Sequence, residues 1–119
     1  MKILAIVSLL FLSGCSMIPS FWDDNESLLA SDLRYVVHKL DCSKEQKPQV
    51  ALIRNQLVRF ELYSDSRGSE DIGELLDIMK PTVDGLYEDE SNNEFFCKMK
   101  KKILLTQTAE IAEATMGRY

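Results

Sequence analysis

The chain has 119 residues, 45% hydrophobic and 28% charged, and its 14 basic against 19 acidic side chains give a formal charge of −5 at pH 7. That length accommodates one domain with a modest core. The acidic balance disfavours nucleic acid, whose binding recruits basic surfaces, and predicts no global attraction to an anionic membrane surface.

The first element in chain order is MKILAIVSLLFLSG, with one positive charge at Lys2 and then ten nearly uniform apolar positions, Ile3 to Leu12. A bilayer span needs about 20 apolar residues, so this run is too short to cross. It has the layout of a signal peptide: a basic start, a short apolar stretch and small residues before a cut. Leu12-Ser13-Gly14-Cys15 resembles the lipobox of bacterial lipoproteins. The resemblance implies that residues 1–14 are a cleaved signal peptide and that Cys15 takes diacylglycerol on its sulfur. It also implies a further acyl chain, such as palmitate, on the new amino terminus. Several chains anchor far more firmly than one. Ser16, not Asp, follows the cysteine. In the Gram-negative family that implies sorting to the outer membrane, with the protein on the inner leaflet facing the periplasm.

On that reading the mature chain starts at Cys15 and keeps 13 basic against 19 acidic residues, about −6. Residues 15–24 form a lipidated tether and 25–119 the domain. The stretch SMIPSFWDD, Ser16 to Asp24, reaches at most about 30 Å when extended, so the domain sits close to the bilayer. Phe21 and Trp22 either rest at the lipid interface, where Trp is enriched, or cap the domain core. The second reading is slightly preferred.

Two cysteines remain, Cys42 and Cys97. In an oxidising compartment an even pair most simply forms one disulfide. It closes a loop of 56 residues, worth about 4 kcal/mol in the chain-entropy model. The alternatives are two free thiols or a metal pair. A metal would need two further ligands, and the only histidine is His38. No metal is expected, and no cofactor beyond the covalent lipid.

The remainder reads as helices. From Asp24 to Leu40 the residues Leu28, Leu29, Leu33, Val36, Val37 and Leu40 recur at helical spacing, after capping candidates Asp23, Asp24 and Asn25. A second helix opens near Pro48, which suits a first helical position, and carries Val50, Ile53, Leu57 and Phe60 inward before the turn at Gly68. A third opens at Ser69 with Glu70 and Asp71 at its favoured negative end. Its inward residues are Ile72, Leu75, Leu76 and Met79, and Pro81 is expected to kink or split it before Val83, Leu86 and Tyr87. Ser91-Asn92-Asn93-Glu94 reads as a capping box, opening a fourth helix with Phe96, Met99, Ile103, Ile111 and Ala114 buried. No stretch alternates as a strand does. The expected fold is all-α, a small up-down-up-down four-helix bundle with one disulfide. In that topology the end of helix one and the start of helix four share one end, which is where Cys42 and Cys97 fall. The Ser64–Ser69 turn and Tyr119 then lie at the membrane end, and the disulfide end points away from the lipid.

The distal end also gathers charge. Glu88, Asp89, Glu90 and Glu94 are followed by Lys98, Lys100, Lys101 and Lys102. Four lysines form a candidate binding patch for phosphates, lipid head groups or the anionic cell-wall polymer, with another protein's acidic face the favoured partner. Glu94 and Lys98 stand at i and i+4, however, where a surface ion pair forms, and a solvated face is the stronger reading. His38 with Asp41 makes a polar pair and no more. No nucleophile comes with a base, and the glycines are scattered singly. No enzymatic activity and no small-molecule substrate are therefore expected. Two function classes remain: a protein-interaction or modulator module for an envelope protein, and a structural tether, phage outer spanin-like or cell-wall-linking. A tether needs reach or a proline-rich extended segment, and the mature chain has only Pro19, Pro48 and Pro81. The module ranks first. It should show one exposed apolar or charged patch beyond what the bundle buries, whereas a tether should show an unpaired last turn, Ala112 to Tyr119.

Overall fold

The computed structural model describes residues 23–116. Cys15, Ser16, Phe21, Trp22 and Tyr119 lie outside the described residues, and with them the expected signal peptide and lipidation site. Four helices follow in order: α1 (Asp24–His38), α2 (Lys47–Arg67), α3 (Glu70–Glu88) and α4 (Glu94–Met116). No strand occurs among the described residues. None of the described helices is long and apolar enough to cross a membrane.

Each helix starts and stops for a local reason. Asp23, with extended backbone, accepts the Asn25 amide on its side chain and caps α1, tying down one of the donors a helix start leaves free. Pro48 sits in the first turn of α2. The helix ends at Gly68, whose φ of +78° lies in the left-handed region that a side chain disfavours. The turn is closed there by the Ser69 amide donating to the Ser64 carbonyl at 2.9 Å. α3 runs unbroken through Pro81, which lies on its exposed face, so the helix is not split.

α1 packs against α2 and α4, and α3 against α2 and α4. This is the closed ring of an up-down-up-down four-helix bundle, in which short connections force sequence neighbours to be antiparallel neighbours. Its core joins Leu33 and Val37 of α1 to Ile53, Leu57 and Phe60 of α2. Ile72, Leu76, Met79 and Val83 of α3 and Leu104 and Ile111 of α4 complete it. Cys42 and Cys97 are bonded, with their Cα atoms 5.7 Å apart, inside the range a disulfide requires.

Three details differ from the sequence reading. Leu28 is 59% exposed rather than buried. Met99 and Ile103 face outward, and α4 instead buries Cys97, Leu104, Thr108, Ile111, Ala112 and Thr115. The cause is rotational register: the disulfide holds Cys97 inward, and residues seven, eleven, fourteen and eighteen positions later come round to the same side at 3.6 residues per turn. Thr108 and Thr115 are tolerated there because each hydroxyl donates to a backbone carbonyl of its own helix. The capping box does not form. The Asn93 side chain accepts the Phe96 amide at 2.9 Å and caps α4, whereas Ser91 donates to Asp89 from both its amide and its hydroxyl.

Candidate interaction surface

The four lysines of the cluster have different neighbours. Lys101 reaches α1, its ammonium donating to the carbonyls of His38 (3.1 Å) and Leu40 (2.7 Å). It thus satisfies the carbonyls left free where that helix ends. Lys98 pairs with Glu94 at 3.0 Å, one turn earlier. Lys100 lies over the Phe96 ring, 5.4 Å from its centre, and Lys102 is exposed. One of the four is thus a structural cap, one an ion-pair partner and one a stacked cation.

What the sequence reading missed lies on the same helix. Phe95, Met99 and Ile103 follow one another at four-residue steps and are 78%, 45% and 40% exposed. Four-residue steps drift only about 40° in azimuth, so the three make one continuous apolar ridge. Measured round the helix, the ridge lies opposite the buried Cys97, Leu104, Thr108 and Ile111. The inner face of α4 is fully partnered by α1 and α3, so nothing within the described bundle covers the outer one. Single exposed apolar residues are ordinary on a protein surface, and this helix carries three of them in line. Lys98 and Lys102 border it. The signal in the sequence was an apolar repeat at 95, 99 and 103 beside a second at 97, 104 and 111. Only one can face inward.

The disulfide end that carries this ridge is stitched by backbone contacts. Gln49 accepts the Asp41 amide at 2.7 Å and donates to the carbonyls of Asp41 and Glu45. The buried Gln46 donates to the Cys42 carbonyl, and its amide donates to Asn92 Oδ1. Asn92 takes a positive φ of 53°, a conformation that Asn tolerates better than most residues. Asp41 is held below the ordinary carboxylate range, first by the hydroxyl and then by the amide of Ser43, and Asp89 likewise by Ser91. His38 is exposed and offers its carbonyl, not its ring, to the network.

At the opposite end a polar cluster joins the start of α1 to the end of α2. Arg67 Nη1 lies 2.7 Å from Asp23 Oδ2 and 2.8 Å from Glu26 Oε1. Glu26 is 1% exposed and also accepts the Ser69 hydroxyl at 2.7 Å. Tyr63 donates to Asp23 Oδ2 at 2.6 Å. That bond is the largest cause of a lowered Asp23 pKa and of a raised Tyr63 pKa. Arg67, Tyr63 and Ser69 each bond to a carboxylate of the same cluster, the arrangement of a structural lock. Among the described residues no three metal-ligating side chains converge. The chain matches no protein-family model, no curated protein and no solved structure.

Proposed function

We propose that this chain is an outer-membrane-anchored, periplasm-facing lipoprotein whose bundle acts as a protein-interaction module, docking on an envelope protein through the α4 ridge. The observation that carries the reading is the line Phe95, Met99, Ile103 on the outer face of a helix whose inner face is already packed. A helix that offers apolar residues at four-residue steps fits an apolar groove in a partner. Lys98 and Lys102 beside the ridge favour an acidic rim to that groove, and charge there acts mainly on association rate and register. The module is not an enzyme on this reading. The tether alternative is weaker, because Ala112 and Thr115 in the last described turn are buried, so that part of the helix is committed to the bundle.

The test places a photocrosslinking residue at position 95, 99 or 103 of the lipidated protein in intact cells, with position 52 as an exposed apolar control on α2. One envelope protein captured from the ridge positions, not from position 52, and lost in Cys15→Ala, is the expected result. Capture of cell-wall fragments alone moves the assignment to the tether. Equal capture from all positions removes the ridge from the argument.

A further inference from the structure

A groove of about 400 Å³ runs between the C-terminal half of α2 and the first turns of α3, away from the α4 ridge. Its walls carry the carboxylates of Glu61, Asp65, Glu70 and Asp77. An acidic wall alone is a solvated surface, but two further features point inward. Ser64 lines the groove, is 1% exposed, and its hydroxyl has no hydrogen-bond partner. One turn away, Glu61 has its Oε2 3.6 Å from Lys80 Nζ, while its Oε1 is shielded from water and equally without a partner. A buried polar group left unpaired is costly, and more so when charged, so native proteins rarely leave two adjacent ones idle. Gly73 lines the same space, and a Cβ added there would meet nothing within 4 Å.

We propose that this groove binds an arginine side chain presented by a partner polypeptide. The guanidinium is a planar fork of five donors with no acceptor. It would donate to Glu61 Oε1 and Ser64 Oγ at once, with Asp65 and Asp77 supplying the surrounding field. The exposed Leu62 on the rim suits the aliphatic stem, which packs on apolar surface while its head is bound. A lysine ammonium is a compact, strongly hydrated point charge and answers this spread of acceptors less well. The site is independent of the α4 ridge and of the lipid anchor.

The test is an NMR titration of the folded protein with a capped Gly-Arg-Gly peptide and with its lysine counterpart. Saturable shifts confined to the amides around residues 61–77, several-fold tighter for arginine, are expected. Glu61→Gln should weaken binding about tenfold, the order expected for loss of one charge-assisted hydrogen bond. Ser64→Ala should weaken it several-fold without harming the fold, since its hydroxyl has no partner to lose. Gly73→Leu fills the groove with a better helix former and should abolish binding in a protein that melts no lower. Glu110→Gln, the same charge change on exposed α4, should leave affinity unchanged. Equal loss in Glu110→Gln, equal affinity for the lysine peptide, or unaltered binding by Gly73→Leu would each overturn the site.

Discussion

The two ends of the bundle are closed by different means. At one, a covalent bond joins Cys42 to Cys97, and around it Lys101, Gln46 and Gln49 are spent on backbone carbonyls and amides. At the other there is no covalent link among the described residues. There Arg67 is shared between Asp23 and the buried Glu26, with Tyr63 and Ser69 completing the set. A disulfide acts mainly by shrinking the unfolded ensemble, so its worth scales with loop length and is indifferent to pH and salt. A buried ionic cluster acts in the folded state alone. It repays desolvation only while every partner is present. One end therefore depends on redox conditions and the other on the completeness of a set.

The largest expected effect breaks the covalent end. The Cys42→Ala/Cys97→Ala double variant should lose about 4 kcal/mol in urea unfolding, the loop-entropy value for 56 residues. Because the bridge also sets how α4 is rotated, hydrogen exchange should rise most across residues 39–46 and 89–97. Uniform destabilisation with no local pattern would mean that the bridge carries no positional role.

Next comes the ionic end. Arg67→Met leaves Glu26 buried without its cation, and breaking such a pair costs about 3 kcal/mol or more. Arg67→Met/Glu26→Leu removes both charges and should recover most of that loss. The comparison between ends then becomes sharp: a half-broken cluster is worse than none, whereas a half-broken disulfide costs no more than losing both cysteines. If the double variant is as unstable as the single one, the cluster contributes net stability and not only specificity.

A smaller effect probes the one lysine that the structure uses as a cap. Lys101→Met should cost about 1 kcal/mol, as a charged donor to the terminal carbonyls of α1 is removed. Lys102→Met, one residue on and exposed, should lie within about 0.5 kcal/mol of the parent, as ordinary surface changes do. Equal losses would show that the lysines act only through their summed charge.

How much of this was legible before the fold was seen follows the range of each interaction. Helices and turns are local, and the stripes Val50, Ile53, Leu57, Phe60 and Ile72, Leu76, Met79 announced two of the four plainly. The cysteine pair was legible because, with Cys15 read as a lipid anchor, two cysteines were left to join and the bundle topology brought their positions together. The rotation of α4 was not, since Phe95, Met99 and Ile103 are as apolar as the residues it buries, and a periodic stripe has no label for inside. Leu28 was misplaced for the same reason. The Asn93 cap lost to Ser91 on paper because both residues cap well, and only the geometry of the 89–93 turn, where Ser91 folds back on Asp89, separates them. Nothing in the sequence joins Glu26 to Arg67, 41 positions apart, because complementary charge is common and contact is decided by packing. The Ser64–Glu61 groove was illegible for a related reason: an unpaired atom is a property of surroundings, not of residue type.

The finest test separates the ends by pH. Depressed carboxylates occur at both: Asp23 at one, Asp41 and Asp89 at the other. Asp41 and Asp89 owe their shifts to serines two residues on, contacts so local that a partly unfolded chain still visits them. Linkage counts only the difference between folded and unfolded pKa values, so these two contribute little. Asp23 is held by Tyr63, 40 positions away, a contact that exists only in the folded bundle. Its folded pKa lies below 3.8. Its contribution is therefore complete above that unfolded value and is lost as pH falls through the lower folded one. Tyr63 shifts the other way, above 10.0. Its share is complete below that value and is lost as pH rises through the raised one. Tyr63→Phe should thus flatten both limbs of the stability profile at once and carry the Asp23 carboxyl resonance back towards an ordinary titration. Ser43→Ala at the other end should raise the Asp41 pKa yet leave the profile of global stability nearly unchanged. A profile that responds equally to the two substitutions would mean that the long-range bond is no more a property of the fold than the local one.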